Sequence, residues 1–212
     1  MNKLLTEFIG TFFLVLTVVC SVHMEAAIPA LSIGAALMVM VYMGGHISGA
    51  HYNPAVTLAV FMRGRCPAKD VVPYMIVQLL GAFCAAAIGM HLTGKVFVIK
   101  PGEGVSDLHA ILAEALFTFA LALVVLNVAT LKKVANNSYY GLAIGFTVFA
   151  GASAVGKISG GALNPAVGVG SLLVAAMKGV SIGHCWIYIV GPLVGGALAA
   201  AVFKVQNGSK AE

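Results

Sequence analysis

Gly45-His46-Ile47-Ser48-Gly49-Ala50-His51-Tyr52-Asn53-Pro54-Ala55-Val56 returns later in the chain as Gly156-Lys157-Ile158-Ser159-Gly160-Gly161-Ala162-Leu163-Asn164-Pro165-Ala166-Val167. An offset of 111 residues carries Asn53 onto Asn164. Each copy holds an Asn-Pro-Ala tripeptide: Asn53, Pro54 and Ala55 in the first, Asn164, Pro165 and Ala166 in the second. Pro suits a first helical turn, where its fixed φ is already right and its missing N–H would be unpaired anyway. The glycines before it continue a helix poorly. Each copy therefore predicts irregular backbone that turns into a helix at the proline. Those helices are short: Pro54–Met62 spans about 13 Å and Pro165–Met177 about 20 Å. Neither crosses a hydrocarbon core of about 30 Å.

A bilayer is nonetheless the solvent this chain asks for. Of 212 residues, 60% are hydrophobic and 9% charged, and the mean hydropathy is +1.01. A soluble domain carries about 25% charged residues. Six apolar segments approach spanning length: Leu4–Val22, Leu31–Gly45, Val71–His91, Leu108–Thr130, Tyr139–Val155 and Ile182–Lys204. Irregular backbone at membrane depth is tolerated only inside protein or beside a water-filled cavity. The expected fold is therefore an all-α membrane protein of six transmembrane helices and two re-entrant half-helices. An offset of 107 carries Glu7 of the first span onto Glu114 of the fourth. Three spans per repeat make the second copy enter from the opposite side, so the repeats are inverted. They run from about 1 to 92 and from about 108 to 205 within one unit, 1–212. Inverted repeats with broken segments place a binding or conduction site at the midplane.

Charge fixes the expected orientation. With the N-terminus inside, Lys3, Arg63, Arg65, Lys69, Lys132, Lys133, Lys204 and Lys210 are cytoplasmic, against Lys95, Lys100, Lys157 and Lys178 outside. That bias puts both termini in the cytoplasm and suggests the cell's inner (plasma) membrane. The first apolar run is read as a retained helix, since Glu7 interrupts it and no A-x-A-like cleavage site follows. A net charge of +5 does not mean nucleic acid here, because the basic residues sit in short loops between apolar runs. Cys20, Cys66, Cys84 and Cys185 form no CxxC pair, and no His stands at metal-ligand spacing. No metal, cofactor or catalytic group is expected, and Glu7 and Glu114 lack a nucleophile or metal set that would make them an acid pair.

Two Asn-Pro-Ala motifs opening half-helices, one per inverted repeat, make the chain resemble the aquaporin (major intrinsic protein) family over essentially its whole length. The resemblance implies a single channel domain, assembled as a homotetramer in the lipid bilayer, passing water and small neutral solutes. It implies that the half-helix N-termini meet at the pore centre with Asn53 and Asn164 lining it. A helix N-terminus exposes unpaired N–H groups and about half a positive charge, which opposes protons and cations. It also implies that Glu7 and Glu114 hold the re-entrant loops by accepting backbone hydrogen bonds. His46 lines the cytoplasmic vestibule, whereas His51 packs within its loop.

The chain departs from the family at the outer constriction. The family's usual filter Arg, three residues after the second motif Asn, is Val167 here, the same type as its repeat mate Val56. Counting from the motifs completes the ring with Ile33, Ala152 and Gly161. Such a ring is small, apolar and uncharged, and predicts a wider opening than a water filter. Lys157, the repeat mate of His46, is expected near the outer mouth, where its ammonium could supply the missing charge. Gly168 after Val167, and Tyr188-Ile189 in the last span, match neither the water-channel nor the glycerol-channel pattern. A strict water channel therefore stays open as an alternative. A proton-coupled transporter would need a titratable group where the motif places Asn. A non-conducting structural membrane protein would lack passive flux.

Overall fold

The computed structural model describes residues 1–208; Lys210, counted above among the cytoplasmic charges, lies outside the described residues. The described residues are helical, with no strand: α1 Asn2–His23, α2 Pro29–Ser48, α3 Pro54–Met62, α4 Ala68–Thr93, α5 Asp107–Ala129, α6 Tyr140–Ser159, α7 Pro165–Ala176 and α8 Ile187–Asn207. A single 3-10 turn, Lys132–Val134, sits between α5 and α6. Six helices are long and apolar enough to span a membrane: α1, α2, α4, α5, α6 and α8. Leu5, Phe13, Leu80, Leu112, Leu116 and Leu198 are exposed on their outer surfaces, as side chains facing lipid would be.

Helix ends follow local chemistry. Asn53 caps α3 by accepting the Ala55 N–H at 2.8 Å, and Asn164 caps α7 by accepting the Ala166 N–H at 2.9 Å. The side-chain oxygen of an N-cap satisfies an N–H that has no carbonyl within its own helix. α2 ends at Gly49 (φ 90°) and α6 at Gly160 (φ 94°), left-handed positions that glycine reaches without steric cost. The backbone was expected to leave the helix near Gly45 and Gly156. It does not, because packing outweighs glycine's weak helix preference. His46 and Lys157 therefore stand in the last helical turns, not in loops. α8 starts at Ile187, five residues later than expected from Ile182: turns occupy 183–186, with Cys185 N–H to Ile182 O at 2.9 Å and Ile187 N–H to His184 O at 3.1 Å.

The packing repeats. α1 lies on α4 and α2, α5 lies on α8 and α6, and α2 crosses α6. Each half-helix packs against the third span of the other half, α3 on α8 and α7 on α4. Hydrophobicity does not separate helix from lipid tail, so close approach over small residues must hold spans together. Gly81 places the α4 backbone on Phe8 O of α1, where an added Cβ would stand 2.6 Å from that oxygen. Gly195 does the same for α8 on Ala115 of α5. Gly34 of α2 and Gly145 of α6 face each other: a Cβ on Gly34 would lie 2.6 Å from Gly145 O, and one on Gly145 would run into Gly34 O.

One packing solution is divided unequally between the halves. Tyr52, fully buried, fits its ring against Gly10 and Gly44, which leave no room for a Cβ there. Its repeat mate Leu163 packs instead with Phe117 and Val155, which stand where Gly10 and Gly44 stand in the first half.

The Gly34–Gly145 crossing yields a test. Gly145→Val should force α2 and α6 apart and cost about 1–3 kcal/mol, the range for overpacking. The thermal midpoint of the detergent-solubilised protein checks it, with Gly156→Ala, where an added Cβ meets nothing within 4 Å, as the near-neutral comparison.

Candidate functional site

Two buried carboxyl groups organise the centre. Glu7 is fully buried in α1. Its Oε1 accepts from Ser48 Oγ at 2.7 Å and His51 N at 2.9 Å. Its Oε2 accepts from Tyr52 N at 2.7 Å and Gln78 Nε2 at 2.8 Å. Glu114 of α5 is equally buried. It accepts from Ser159 Oγ at 2.7 Å, Ala162 N at 2.9 Å and Leu163 N at 2.6 Å. Each carboxyl so holds the loop entering a half-helix. Those loops need holding: Ala50 (φ 52°), Tyr52 (φ 50°) and Leu163 (φ 51°) are left-handed residues with side chains, a conformation that costs of order 1–3 kcal/mol each unless the surroundings enforce it.

The two loops then clasp each other. Asn53 Nδ2 donates to Leu163 O at 2.9 Å, and Asn164 Nδ2 donates to Tyr52 O at 2.9 Å. Each amide oxygen already caps its own half-helix, so two of the four amide bonding functions, one acceptor and one donor, are spent on backbone. The second N–H of each amide has no acceptor among the described residues, and both side chains line the same cavity. The sequence placed these two Asn at one level; their grip on the opposite loop was not foreseen.

That cavity has a volume of about 670 Å³ and also takes in Ile33, Ala152, Gly161, Val167 and Lys157. The four counted filter positions therefore share one space. Gly161 faces Ala152, with an added Cβ 3.3 Å from Ala152 Cα. Val167 is 4% exposed and packs with Ile99, Ala162 and Tyr188. A second cavity, of about 550 Å³, contains His46, Arg65, Lys132 and Asn137. Ala50, His51, Val125 and Ile144 belong to both, so the two meet near the motif level. His51 is tied there by Thr57, with Nδ1 to Oγ1 at 3.1 Å, and sits edge-on to Tyr74.

A match between residues 1–203 and the family described as Major intrinsic protein decides what this arrangement is. The chain belongs to the major intrinsic protein family. It is 38% identical over 221 residues to "Glycerol uptake facilitator protein-like 6" of Lactiplantibacillus plantarum, covering 98% of this chain and 99% of that one. To "Aquaporin NIP1-1" of Zea mays it is 36% identical over 214 residues, covering 96% of this chain and 74% of the relative. Its fold matches the X-ray structure of the aquaglyceroporin from Plasmodium falciparum with a TM-score of 0.85 at 23% identity, covering 95% and 94% of the two chains. Members of this family are channels for water and small solutes, and the six apolar helices make this one an integral membrane protein.

Several site residues escaped the sequence. Ser48 and Ser159 occupy matching places in the repeated phrase, and each hydroxyl bridges a carboxyl group to its loop: Ser48 Oγ accepts from Ala50 N at 3.0 Å and Ser159 Oγ from Gly161 N at 3.1 Å. Tyr74 and Tyr188 donate to Ser48 O at 2.8 Å and Ser159 O at 2.6 Å. Tyr188, read above only as a family discriminator, is thus a clamp packed over Gly168. Phe97, Val98, Ile99 and Lys100 form one wall of the larger cavity; they lie between the repeats and have no mate to reveal them.

None of the four free cysteines lines either cavity. Burial raises the thiols of Cys66 and Cys185 above their usual range, which lowers the reactive thiolate. Mercurials should therefore block the protein weakly. Gly161→Cys, at a left-handed position (φ 66°) whose mate Ala50 tolerates a side chain, should create block that a thiol reductant reverses. Stopped-flow flux measurements check both.

Proposed function

We propose that residues 1–212 form one channel unit, with repeats at about 1–92 and 108–205, that passes water together with small neutral solutes of the glycerol, urea and peroxide class. The observation that carries this reading is the ring of Ile33, Ala152, Gly161 and Val167 around one cavity. It contains no charged or hydrogen-bonding side chain and two residues with little or no side-chain bulk. A guanidinium at the Val167 position would narrow the opening and offer donors to water. The name of the bacterial relative, a glycerol uptake facilitator-like protein, supports the wider reading. The plant relatives named aquaporin keep a strict water channel as the second.

Ion rejection falls to the motif level. There the N-termini of α3 and α7 approach, each adding partial positive charge, and Asn53 and Asn164 offer their free N–H groups to a passing oxygen. Water that turns its oxygen to both amides cannot relay a proton through the same point. Pro54 and Pro165 start the half-helices, and Ala55 and Ala166, both fully buried, let them approach their neighbours. Lys157 guards the outer vestibule and His46 the cytoplasmic one. Glu7 and Glu114 hold loops and carry no chemistry, and the protein is no enzyme. The basic-residue bias supports cytoplasmic termini in a plasma or inner membrane, and the exposed apolar helix faces are consistent with a homotetramer.

Swelling of vesicles containing the purified protein tests the substrate reading. Glycerol and urea should enter well above protein-free vesicles, alongside water and with little ionic current. Val167→Arg should lower solute flux more than water flux. Water flux without glycerol, urea or peroxide flux in the unmodified protein would leave the strict water channel.

Asn164→Asp tests the motif level. Two positive helix ends favour an anion, so the new carboxylate should stay charged and draw cations. Membrane conductance should rise; unchanged conductance and solute flux would mean that Asn164 does not face the path.

A further inference from the structure

Resting on the channel reading above, we propose that the cavity on the Lys157 side binds a small divalent oxyanion of the sulfate or hydrogen phosphate class. The ion would lie between Lys100 and Lys157 and, once bound, obstruct solute passage.

Lys100 and Lys157 line one cavity from different elements. Lys157 stands in the last turn of α6, and Lys100 in the segment joining α4 to α5. Their backbones are stitched together. Gly102 N–H donates to Ile158 O at 2.9 Å. Gly102 also lies so close to Lys157 O that no Cβ fits, and a Cβ on Gly160 would stand 3.4 Å from Lys100 O. Both roots are therefore fixed on the same rim while both side chains remain exposed. Neither lysine has an ion pair or hydrogen bond among the described residues.

No carboxylate among the described residues lines this cavity. Glu25 in the α1–α2 connection, Glu103 in the α4–α5 connection and Asp107 at the start of α5 are not part of its wall, and Asp107 is engaged by His184 at 3.5 Å. The floor adds charge of the same sign, from the N-termini of α3 and α7 and the free amide hydrogens of Asn53 and Asn164. A concave site lined by one sign of charge with apolar walls focuses its field on an incoming ion. An ammonium binds phosphate-like ions as a point charge, and two of them match a divalent ion. The walls come from α1, α2, α5 and α6 as well as the loops, so the ligand arrives from solution and not as a lipid headgroup. It also stops there. Below the lysines stand Ile33, Val148, Val167 and Val56, which cannot replace the hydration of an ion. An occupant held at the rim therefore blocks neutral solutes instead of following them.

Proteoliposomes of phosphatidylcholine provide the test, with glycerol flux read by light scattering in sodium sulfate against sodium chloride of equal ionic strength, osmolarity being balanced with sucrose, on both sides. Sulfate should slow flux saturably, by roughly twofold at the concentration that half-fills the site. Each variant is compared with its own rate in chloride. The Lys100→Ala/Lys157→Ala double variant should lose the difference between salts, and Lys157→Arg should keep it. Equal rates in both salts for the unmodified protein, or slowing that survives in the double variant, would overturn the proposal. A chloride rate no greater than that of protein-free vesicles would instead overturn the channel reading. Binding stays measurable in that case: sulfate should raise the thermal midpoint of the solubilised protein but not of the double variant, and no such difference would overturn the site.

Discussion

A carboxyl group inside a membrane-spanning helix is expensive unless its acceptor capacity is filled. Glu7 and Glu114 meet that demand with the backbone N–H groups of the two re-entrant loops. Filling the carboxyl groups dictates how the loops run. With their N–H groups turned to the acids, Tyr52 and Leu163 present their carbonyls to the motif Asn of the opposite half. The resulting circuit has no independent part. Glu7 orients Tyr52, Tyr52 receives Asn164, and Asn164 caps α7; Glu114 orients Leu163, Leu163 receives Asn53, and Asn53 caps α3. Loss of either acid therefore loosens the half-helix in the other half as well as the loop it touches.

Tyr52, Asn53, Leu163 and Asn164 belong both to that circuit and to the wall of the larger cavity, and Gly161 is tied to Ser159 beside it. Ile33, Ala152 and the segment carrying Phe97 to Lys100 line the same cavity without a hydrogen bond to the circuit among the described residues, so that part of the wall can change while the centre is preserved. The two halves also differ beside the circuit. Glu7 receives a fourth hydrogen bond from Gln78, which also donates to Thr57 at 3.0 Å. In the second half Gly168 stands where Thr57 does, and Tyr188 fills the space. Polar bonding stiffens one loop, and aromatic packing the other.

How much of this the sequence carries depends on whether a feature repeats. The motif phrase occurs twice, so the half-helices and their caps were legible at an offset of 111, and the pairing of Glu7 with Glu114 at 107. Tyr74 and Tyr188 do equivalent work but fall at a different offset, because the spans that carry them begin at different distances from the motif. Gly45 and Gly156 misled about helix ends, since propensity of about 1 kcal/mol yields to the contacts of a packed span. The wall from Phe97 to Lys100 belongs to the joint between repeats and leaves no pattern to read. The four residues reached by counting from the motifs line one cavity.

The unequal division of bulk around Tyr52 and Leu163 bears on how such a chain changes over time. In the first half a large residue is met by Gly10 and Gly44; in the second a smaller one is met by Phe117 and Val155. A ring cannot enter the second site while Phe117 and Val155 occupy the space, and a Cβ cannot be added at Gly10 or Gly44 while Tyr52 fills the first. In either half the neighbours and the central residue must change together. A segment exchanged between the halves therefore carries its volume into a site shaped for another.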